Sequence, residues 1–436
     1  MVSFRSTSGE GPSVSFREAL FRGQAPDGGL YVPESIPPFD PPGVRHASFA
    51  ARARAALGAW LDAELGTQAT AALCQEAFDF PVPLTRLDEG TWLLELFHGP
   101  TGAFKDFGAR FMARALWRLR NPGATVTVLV ATSGDTGSAV AHAFSGLEGV
   151  RVVLLYPAEK VSPLQEAQLT SAPGNVHALR VAGTFDDCQR MVRAAFRDTA
   201  LTRDLELTSA NSINVGRLLP QISYYVHASL ELAAALGEVT PSPELAEPLV
   251  VVPSGNLGNL TAGLWARRSG APIACLLAAT NRNDTFARYL QSGRLEPREA
   301  VPTLSNAMDV GDPSNAKRII ALHQGKVGAL RHEVVAESVD DTQTRRAIRD
   351  TYVATGRVLC PHTAVGLVAR RRHARFRPAI LLATAHPGKF PEVVHEATGE
   401  EVQLPEPLRR ALGQRRDPID VETDSARLRE LLRSLS

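Results

Sequence analysis

The feature that most constrains the fold is a repeated alternation of short apolar runs with amphipathic helical runs. The apolar runs are residues 126–130, 150–155, 176–181, 249–252, 273–279 and 379–384. A strand that is apolar throughout is buried on both faces, and the helices between such strands cover them. The sequence therefore predicts an α/β fold built from parallel sheets.

A polar, proline-containing stretch at residues 236–248 separates two groups of these runs, and we interpret it as a linker. Before them, a Gly- and Pro-rich stretch at residues 24–44 suits an extended surface segment, and helical periodicity follows from about residue 47 to 64. We expect three parts: an N-terminal segment (1–90), a first α/β region (91–235) and a second (249–436). The last part is expected to end in a capped helix with Leu428, Leu431 and Leu432 on one side.

Charge and cysteine usage narrow the possible partners. The chain has 47 Lys and Arg against 46 Asp and Glu, so no broad basic field exists for nucleic acid or anionic lipid. No stretch approaches the roughly 20 apolar residues of a membrane span, and the N-terminus lacks a signal-peptide core. The four cysteines are far apart, which argues against a zinc site or disulfide framework. We expect a cytoplasmic protein that binds no metal, nucleic acid or membrane and that recognises anions only locally.

Lys105 is the first candidate for chemistry. It lies where a Gly-containing loop becomes an amphipathic helix, with Asp106 placed to cap that helix. Flanking Phe104 and Phe107 would desolvate the amine, and the helix dipole would add to the effect. Both lower the pKa and favour the neutral amine that forms imines. Most lysines are solvated at the surface, and the spacing alone does not overturn that interpretation.

Three loops carry small, amide or cationic residues at the entrance of a helix, an arrangement that binds anions. The donors that we single out are Ser133 and Thr136 in the first loop, Asn256 and Asn259 beside Gly255 and Gly258 in the second, and Asn211, Ser212 and Arg217 in the third. Neither a dinucleotide fingerprint nor a P-loop is present. Taken singly, each loop is also compatible with a tight turn or an ordinary helix cap. Thr384 ends a predicted buried strand, where open α/β sheets place ligands.

These pieces occur together and in one order. The motifs are SVSFREAL, APDGGLYVPE, FHGPTGAFKDFG, TSGDTGSA, NSINVGR, SGNLGN and LATAHPGKF. In this combination the chain resembles the threonine synthase family, in the longer form found in many bacteria and fungi, over roughly residues 5–395. The resemblance implies the two parallel-sheet α/β domains of fold type II pyridoxal-phosphate enzymes, with an N-terminal extension. One departure is Ser8, where the family commonly has arginine, which puts a role of that segment in closure over the substrate in doubt.

The resemblance also implies roles for individual residues. Lys105 would hold pyridoxal 5′-phosphate as a Schiff base, Thr384 would face the pyridine nitrogen, and Asp135 would lie near the cofactor O3′, where many fold type II enzymes have Asn. The loop Gly255, Asn256, Leu257, Gly258 and Asn259 would hold the cofactor phosphate. Ser133 and Thr136 would bind the substrate carboxylate, and Asn211, Ser212 and Arg217 the substrate phosphate.

The implied reaction converts O-phospho-L-homoserine and water to L-threonine and phosphate, by a monomeric enzyme. A catabolic phospho-lyase that releases 2-oxobutyrate, ammonia and phosphate shares the early steps, and the motifs separate the two poorly. A serine or threonine dehydratase would have no use for a second phosphate site at residues 211–217. A catalytically inactive scaffold or metabolite sensor would not need an intact Lys105.

Overall fold

The computed structural model describes residues 1–39, 42–44, 46–158, 161–171, 174–237, 247–375, 378–414 and 417–435. The predicted linker at 236–248 lies outside the described residues except for its two ends. The strands are β1 (Phe4–Ser6), β2 (Tyr31–Pro33), β3 (Leu84–Arg86), β4 (Thr91–Glu95), β5 (Val126–Ala131), β6 (Val150–Pro157), β7 (Val176–Val181), β8 (Leu207–Thr208), β9 (Leu249–Pro253), β10 (Cys275–Thr280), β11 (Val334–Ser338), β12 (Ala379–Ala383) and β13 (Ile419–Val421).

The helices cover these strands and fill the N-terminal part. They are α1 (Phe16–Arg22), α2 (Phe49–Leu65), α3 (Thr67–Ala77), α4 (Lys105–Leu119), α5 (Asp135–Phe144), α6 (Pro163–Thr170), α7 (Phe185–Arg197), α8 (Thr199–Asp204), α9 (Val215–Leu218), α10 (Ile222–Gly237), α11 (Gly258–Arg268), α12 (Thr285–Ser292), α13 (Ala316–Leu322), α14 (Val327–Glu333), α15 (Asp341–Thr355), α16 (Pro361–Arg372), α17 (Pro391–Thr398), α18 (Glu406–Gly413) and α19 (Ser425–Ser434). Short 3₁₀ segments occur at Pro42–Val44, Leu219–Gln221, Asn306–Met308 and Pro387–Lys389.

Two mainly parallel sheets confirm the predicted α/β class. The larger has the order β11-β10-β9-β12-β4-β3, and of its pairs only β3 with β4 is antiparallel in the described chain. The smaller has the order β13-β7-β6-β5-β8 and is parallel throughout. Each of the six apolar runs forms a strand, with ends shifted by up to two residues.

Alternate residues of the central strands pack into cores on opposite faces of the larger sheet. Leu94 and Leu382 join one apolar cluster, while Leu93 and Leu381 join another. All four are at most 3% exposed. Such two-faced burial is what makes these runs apolar at every position.

The sheets correct the expected division into contiguous regions at 91–235 and 249–436. β4 belongs to the larger sheet, because β12 pairs with β4 on one side and with β9 on the other. β13, from the C-terminal part, pairs with β7 in the smaller sheet. A run that is apolar on both faces fits the middle of any parallel sheet, so its composition does not reveal which sheet it joins.

The N-terminal part is more buried than expected. β1 and β2 form an antiparallel pair, and Tyr31 and Val32 are 2% and 6% exposed, so this portion of residues 24–44 is core and not an extended surface segment. At the other end, α19 begins after Asp424, whose side chain accepts a hydrogen bond from Ala426 N (2.7 Å), as the cap signal predicts. Of the three expected leucines, Leu428 and Leu432 are buried and Leu431 is half-buried.

No helix in the described ranges is long and apolar enough to cross a bilayer.

Candidate active site

The carboxyl ends of three neighbouring strands of the larger sheet, β9, β12 and β4, form one edge of the site. Thr384 directly follows β12, and its carbonyl oxygen accepts a hydrogen bond from Phe104 N (2.9 Å). Leu96 N, just after β4, donates to Ala383 O (2.9 Å). These bonds fix the loop before Lys105 against the end of β12, the edge of an open sheet at which ligands bind.

Lys105 begins α4, and its side chain is only 17% exposed. Burial lowers the pKa of its ammonium, and the charges of Lys389 and Arg217 act in the same direction, while Asp135 opposes them. Asp106 does not cap α4 as expected. The Asp106 carboxylate is buried and accepts hydrogen bonds from Thr101 N (2.9 Å) and Thr101 Oγ1 (2.7 Å) instead of capping α4, so it closes the Gly-containing loop.

Asp135, the first residue of α5, lies between two lysines. Its Oδ2 is 3.5 Å from Lys105 Nζ, and its Oδ1 is 2.8 Å from Lys389 Nζ. Gln165 Nε2 donates to the same Oδ1 (3.0 Å). Burial alone would raise the pKa of Asp135, but the two lysine charges outweigh burial and hold the pKa well below its usual range.

The loop between β5 and α5 is shaped by a threonine that the sequence analysis did not select. Thr132 Oγ1 accepts hydrogen bonds from Gly134 N (3.0 Å) and Gly137 N (2.8 Å). Gly134 has a φ of 137°, which L side chains rarely adopt. Ser133 is exposed, Thr136 is half-buried, and neither hydroxyl is hydrogen-bonded within the described chain. Both are therefore free to bind a ligand beside Asp135.

The loop between β9 and α11 has little room for side chains. A Cβ on Gly255 would lie 2.7 Å from Met308 Cα, so only glycine fits against that backbone. Leu257 takes a left-handed φ of 60° immediately before α11. Asn256 Oδ1 accepts a hydrogen bond from Ser314 N (2.6 Å), and Asn315 Nδ2 donates to Asn256 O (2.9 Å). The loop is thus held from its outer side.

Asn259, in the first turn of α11, has an amide group held by two tyrosines. Its Oδ1 accepts hydrogen bonds from Tyr224 Oη (2.6 Å) and Tyr225 Oη (2.7 Å). Its Nδ2 is buried and has no hydrogen-bond partner among the described residues. A buried unpaired donor costs roughly 1–3 kcal/mol, so a ligand oxygen is the expected partner.

The third loop joins the other two. Ser212 Oγ accepts a hydrogen bond from Asn256 Nδ2 (2.6 Å), and Asn211 Nδ2 donates to Ala131 O (2.9 Å) at the end of β5. Arg217 is buried and donates to Ala210 O, but its Nε has no partner, and it forms no ion pair in the described chain. Burial lowers its pKa to about 10, so it stays cationic at neutral pH.

A second buried cation, Arg318, lies behind this loop. It is 0% exposed and donates to Tyr31 O (2.9 Å), Ser212 O (3.2 Å) and Asn315 Oδ1. Burial lowers its pKa to about 9, and no carboxylate pairs with it in the ranges that the structure describes. Neither buried guanidinium group forms an ion pair with a described residue, which favours an anionic ligand at this place.

His362, at the start of α16, is affected by the charges of Lys105, Asp135 and Lys389. Its Nε2 accepts a hydrogen bond from Ala307 N (3.2 Å), while its Nδ1 is buried without a partner in the described residues. Burial lowers its pKa to about 3, and the charge of Lys105 acts in the same direction. The imidazole is therefore neutral at physiological pH.

All the singled-out positions thus lie on one connected set of loops, although their individual roles remain predictions. The sequence analysis overlooked Lys389, Thr132 and Arg318. Lys389 follows Thr384 by five residues in a quoted motif, so its proximity to that strand end could have identified it. Arg318 gave no such signal, because only the packing of α13 against β2 brings it to the site.

A buried lysine whose pKa is lowered, beside groups that can bind anions, suits amine chemistry on a phosphorylated substrate. Family models match most of the chain: threonine synthase N terminus at residues 3–78, pyridoxal-phosphate dependent enzyme at 78–385, and threonine synthase, C-terminal, at 363–432. The threonine synthase of Serratia marcescens is 43% identical, covering 91% of this chain and 90% of its own. That of Escherichia coli strain K12 is 41% identical, covering 96% of each. A crystal structure of PLP-bound threonine synthase from Brucella melitensis has a TM-score of 0.93 at 34% identity and covers 100% of both chains.

Proposed function

This chain belongs to the threonine synthase family of pyridoxal-phosphate-dependent enzymes, and from that premise we propose how its own residues carry out the reaction. The substrate is O-phospho-L-homoserine, and the products are L-threonine and inorganic phosphate. The observation that carries this proposal is the buried cation Arg217, which has no ion pair in the described chain and lies on α9, outside the loop at residues 254–259. Two anion-binding places suit a phosphorylated cofactor together with a phosphorylated substrate.

The loop at residues 254–259 fits the cofactor's phosphate. Gly255 lets this loop pack closely against the backbone at Met308, and the unpaired Asn259 Nδ2 offers a buried donor. The start of α11 adds the backbone N–H groups of a helix N-terminus. Lys105 would hold the aldehyde carbon, and Thr384 would place its hydroxyl opposite the ring nitrogen. When bound, pyridoxal phosphate supplies an electron sink for the negative charge that develops beside the substrate's amino group.

Lys105 is the proton carrier in this proposal. Burial lowers the pKa of its amine, which raises the neutral fraction able to accept the proton from the substrate's α-carbon. Asp135 is held as a carboxylate 3.5 Å away and stabilises the ammonium that results. His362 is neutral and offers an unpaired Nδ1 nearby.

The substrate's two anionic ends bind to different loops. Ser133 and Thr136, whose hydroxyls have no partner in the described chain, would hold the carboxylate. Asn211, Ser212 and Arg217 would hold the phosphate group and stabilise its charge as it departs. We propose that the released phosphate stays there and helps to deliver the water that adds at the β-carbon.

The test incubates the cofactor-loaded protein with O-phospho-L-homoserine and measures threonine and phosphate. The expected result is equal amounts of both. Release of 2-oxobutyrate and ammonia in place of threonine would contradict the proposal and identify the catabolic phospho-lyase reaction.

Arg217→Ala tests the phosphate site itself. Threonine formation should fall about 10²–10³-fold, the usual effect of removing a group that stabilises departing charge, while cofactor binding stays within about threefold. Arg217→Lys, which keeps a cation, should recover part of the rate. The exposed Arg346→Ala is the control and should leave both unchanged. Equal loss of cofactor binding and of turnover in Arg217→Ala would count against the assignment.

A further inference from the structure

Two lysines, one of them fully buried, share one carboxylate in this site. Lys389, in the 3₁₀ segment after β12, has a side chain that is 0% exposed, and its Nζ lies 2.8 Å from Asp135 Oδ1. The same Nζ donates to Thr101 O (2.9 Å), in the loop that leads to Lys105. Because Asp135 Oδ2 is 3.5 Å from Lys105 Nζ, the carboxylate bridges the two ammonium groups.

The negative charge of Asp135 would repel an ionised ring hydroxyl of the cofactor, and Lys105 alone would not offset this repulsion. In pyridoxal phosphate the ring hydroxyl is adjacent to the aldehyde carbon, so it lies beside any nitrogen with which the aldehyde condenses. An acidic residue within 3.5 Å of Lys105 Nζ therefore lies close to a ring oxygen that carries negative charge when ionised. Two like charges at such a distance repel strongly when solvent is excluded.

Lys389 provides the missing positive charge. We propose that Lys389 is a positioning residue that neutralises Asp135, so that the pair presents an uncharged hydrogen-bonding surface to the cofactor's ring hydroxyl, as a neutral amide would. The inference rests on the proposed role of Lys105. It accounts for an acidic residue at position 135, and it gives Lys389 a function other than carrying the cofactor, because its ammonium is already bound by a carboxylate and a carbonyl.

Charged or titratable groups face Lys105 from several elements. They are Asp135 on α5, Lys389 after β12, Arg217 on α9 and His362 on α16. Of these, Asp135 is the one carboxylate among the described residues that pairs with Lys105, and Lys389 is its second ion-pair partner. Removing either member of the Asp135–Lys389 pair should therefore change the charge beside the cofactor-bearing nitrogen by one unit, in opposite directions.

The experiment follows the visible absorbance of the cofactor-loaded protein as a function of pH in three variants. Lys389→Met leaves Asp135 unpaired, and the midpoint of the absorbance change should rise by at least about one pH unit. Asp135→Asn leaves Lys389 unpaired, and the midpoint should fall by a similar amount. The double variant, Asp135→Asn with Lys389→Met, should return to within about half a pH unit of the wild type. The exposed Lys317→Met is the matched control and should not differ from the wild type.

A purely structural salt bridge predicts a different pattern. Each variant would then lower the melting temperature of the cofactor-free protein without moving the midpoint in opposite directions. Midpoints of both single variants within about 0.3 pH units of the wild type would overturn the inference. If Lys389→Met does not fold, the comparison of Asp135→Asn with the double variant decides, because only the inference predicts recovery of the midpoint. Borohydride reduction, which fixes the cofactor permanently on its lysine, separates this inference from the proposed function. Unchanged midpoints in a protein labelled at Lys105 reject this inference alone. A wild-type protein in which Lys105 is not labelled rejects the proposed function.

Discussion

Replacing both tyrosines that hold Asn259 should weaken cofactor binding much more than replacing either one. Tyr224 and Tyr225 both donate to Asn259 Oδ1, at 2.6 and 2.7 Å, and together they fix the direction of the unpaired Nδ2. Either hydroxyl alone keeps the amide in place, so Tyr224→Phe or Tyr225→Phe should cost about 1 kcal/mol of stability and weaken cofactor binding less than about fivefold.

The double variant leaves Oδ1 without either donor, and the amide is then free to turn. Loss of one hydrogen bond from Nδ2 to a charged phosphate is worth about 1.5–3 kcal/mol, so the cofactor's Kd should rise roughly 10- to 150-fold. Equilibrium dialysis of the cofactor-free protein against pyridoxal phosphate measures this effect. Tyr352→Phe, which removes a hydroxyl bonded to Glu400 away from the site, is the control. A double variant whose affinity stays within threefold of the wild type would refute the role of Asn259.

Three further predictions concern stability. Burial lowers the pKa of His227 to about 4, below its unfolded value of about 6.5, so protonation favours the unfolded chain. The unfolding free energy should fall as pH drops from about 6.5 to 4, and His227→Gln should remove about 3 kcal/mol of that fall in denaturant titrations. Gly255→Ala should destabilise the cofactor-free protein by about 1–3 kcal/mol through collision with Met308, whereas Gly258→Ala, whose Cβ meets nothing closer than 3.5 Å, should change its melting temperature little. Arg318→Met should cost about 3 kcal/mol because it leaves buried carbonyl groups unpaired, and it should raise KM for the phosphorylated substrate; an unchanged KM would contradict its link to the phosphate site.

The sequence was sufficient to predict the fold class because the alternation of apolar and amphipathic runs is visible within short segments of the chain. The run at residues 176–181 forms β7 with the predicted ends, and Asp424 caps the C-terminal helix. The assignment of strands to sheets needed information that is not local. β4 pairs with β12, farther along the chain, and β13 pairs with β7, farther back, because strands pair through backbone hydrogen bonds that every strand offers.

In the candidate site, too, residues within local motifs were identified from the sequence, and residues that depend on distant partners were not. Asn256 and Ser212 lie in two of the quoted motifs and are joined by a hydrogen bond, and Lys105 lies 3.5 Å from Asp135 of a third motif. Lys389 and Arg318 were not selected, because the role of each depends on a partner far away in the chain: Asp135 for the first and Tyr31 for the second. A buried lysine or arginine is indistinguishable from a surface one until its neighbours are known.

The covalent attachment of the cofactor to Lys105 is the claim on which the account depends. Two lysines form ion pairs with Asp135, so Lys389 is a competing attachment point within the same site. Borohydride reduction of the cofactor-loaded protein, followed by proteolysis and mass spectrometry, should place the phosphopyridoxyl group on the peptide that contains Lys105. The label should disappear in Lys105→Ala and persist in Lys389→Met. A label found on Lys389, or one that survives replacement of Lys105, would contradict the account.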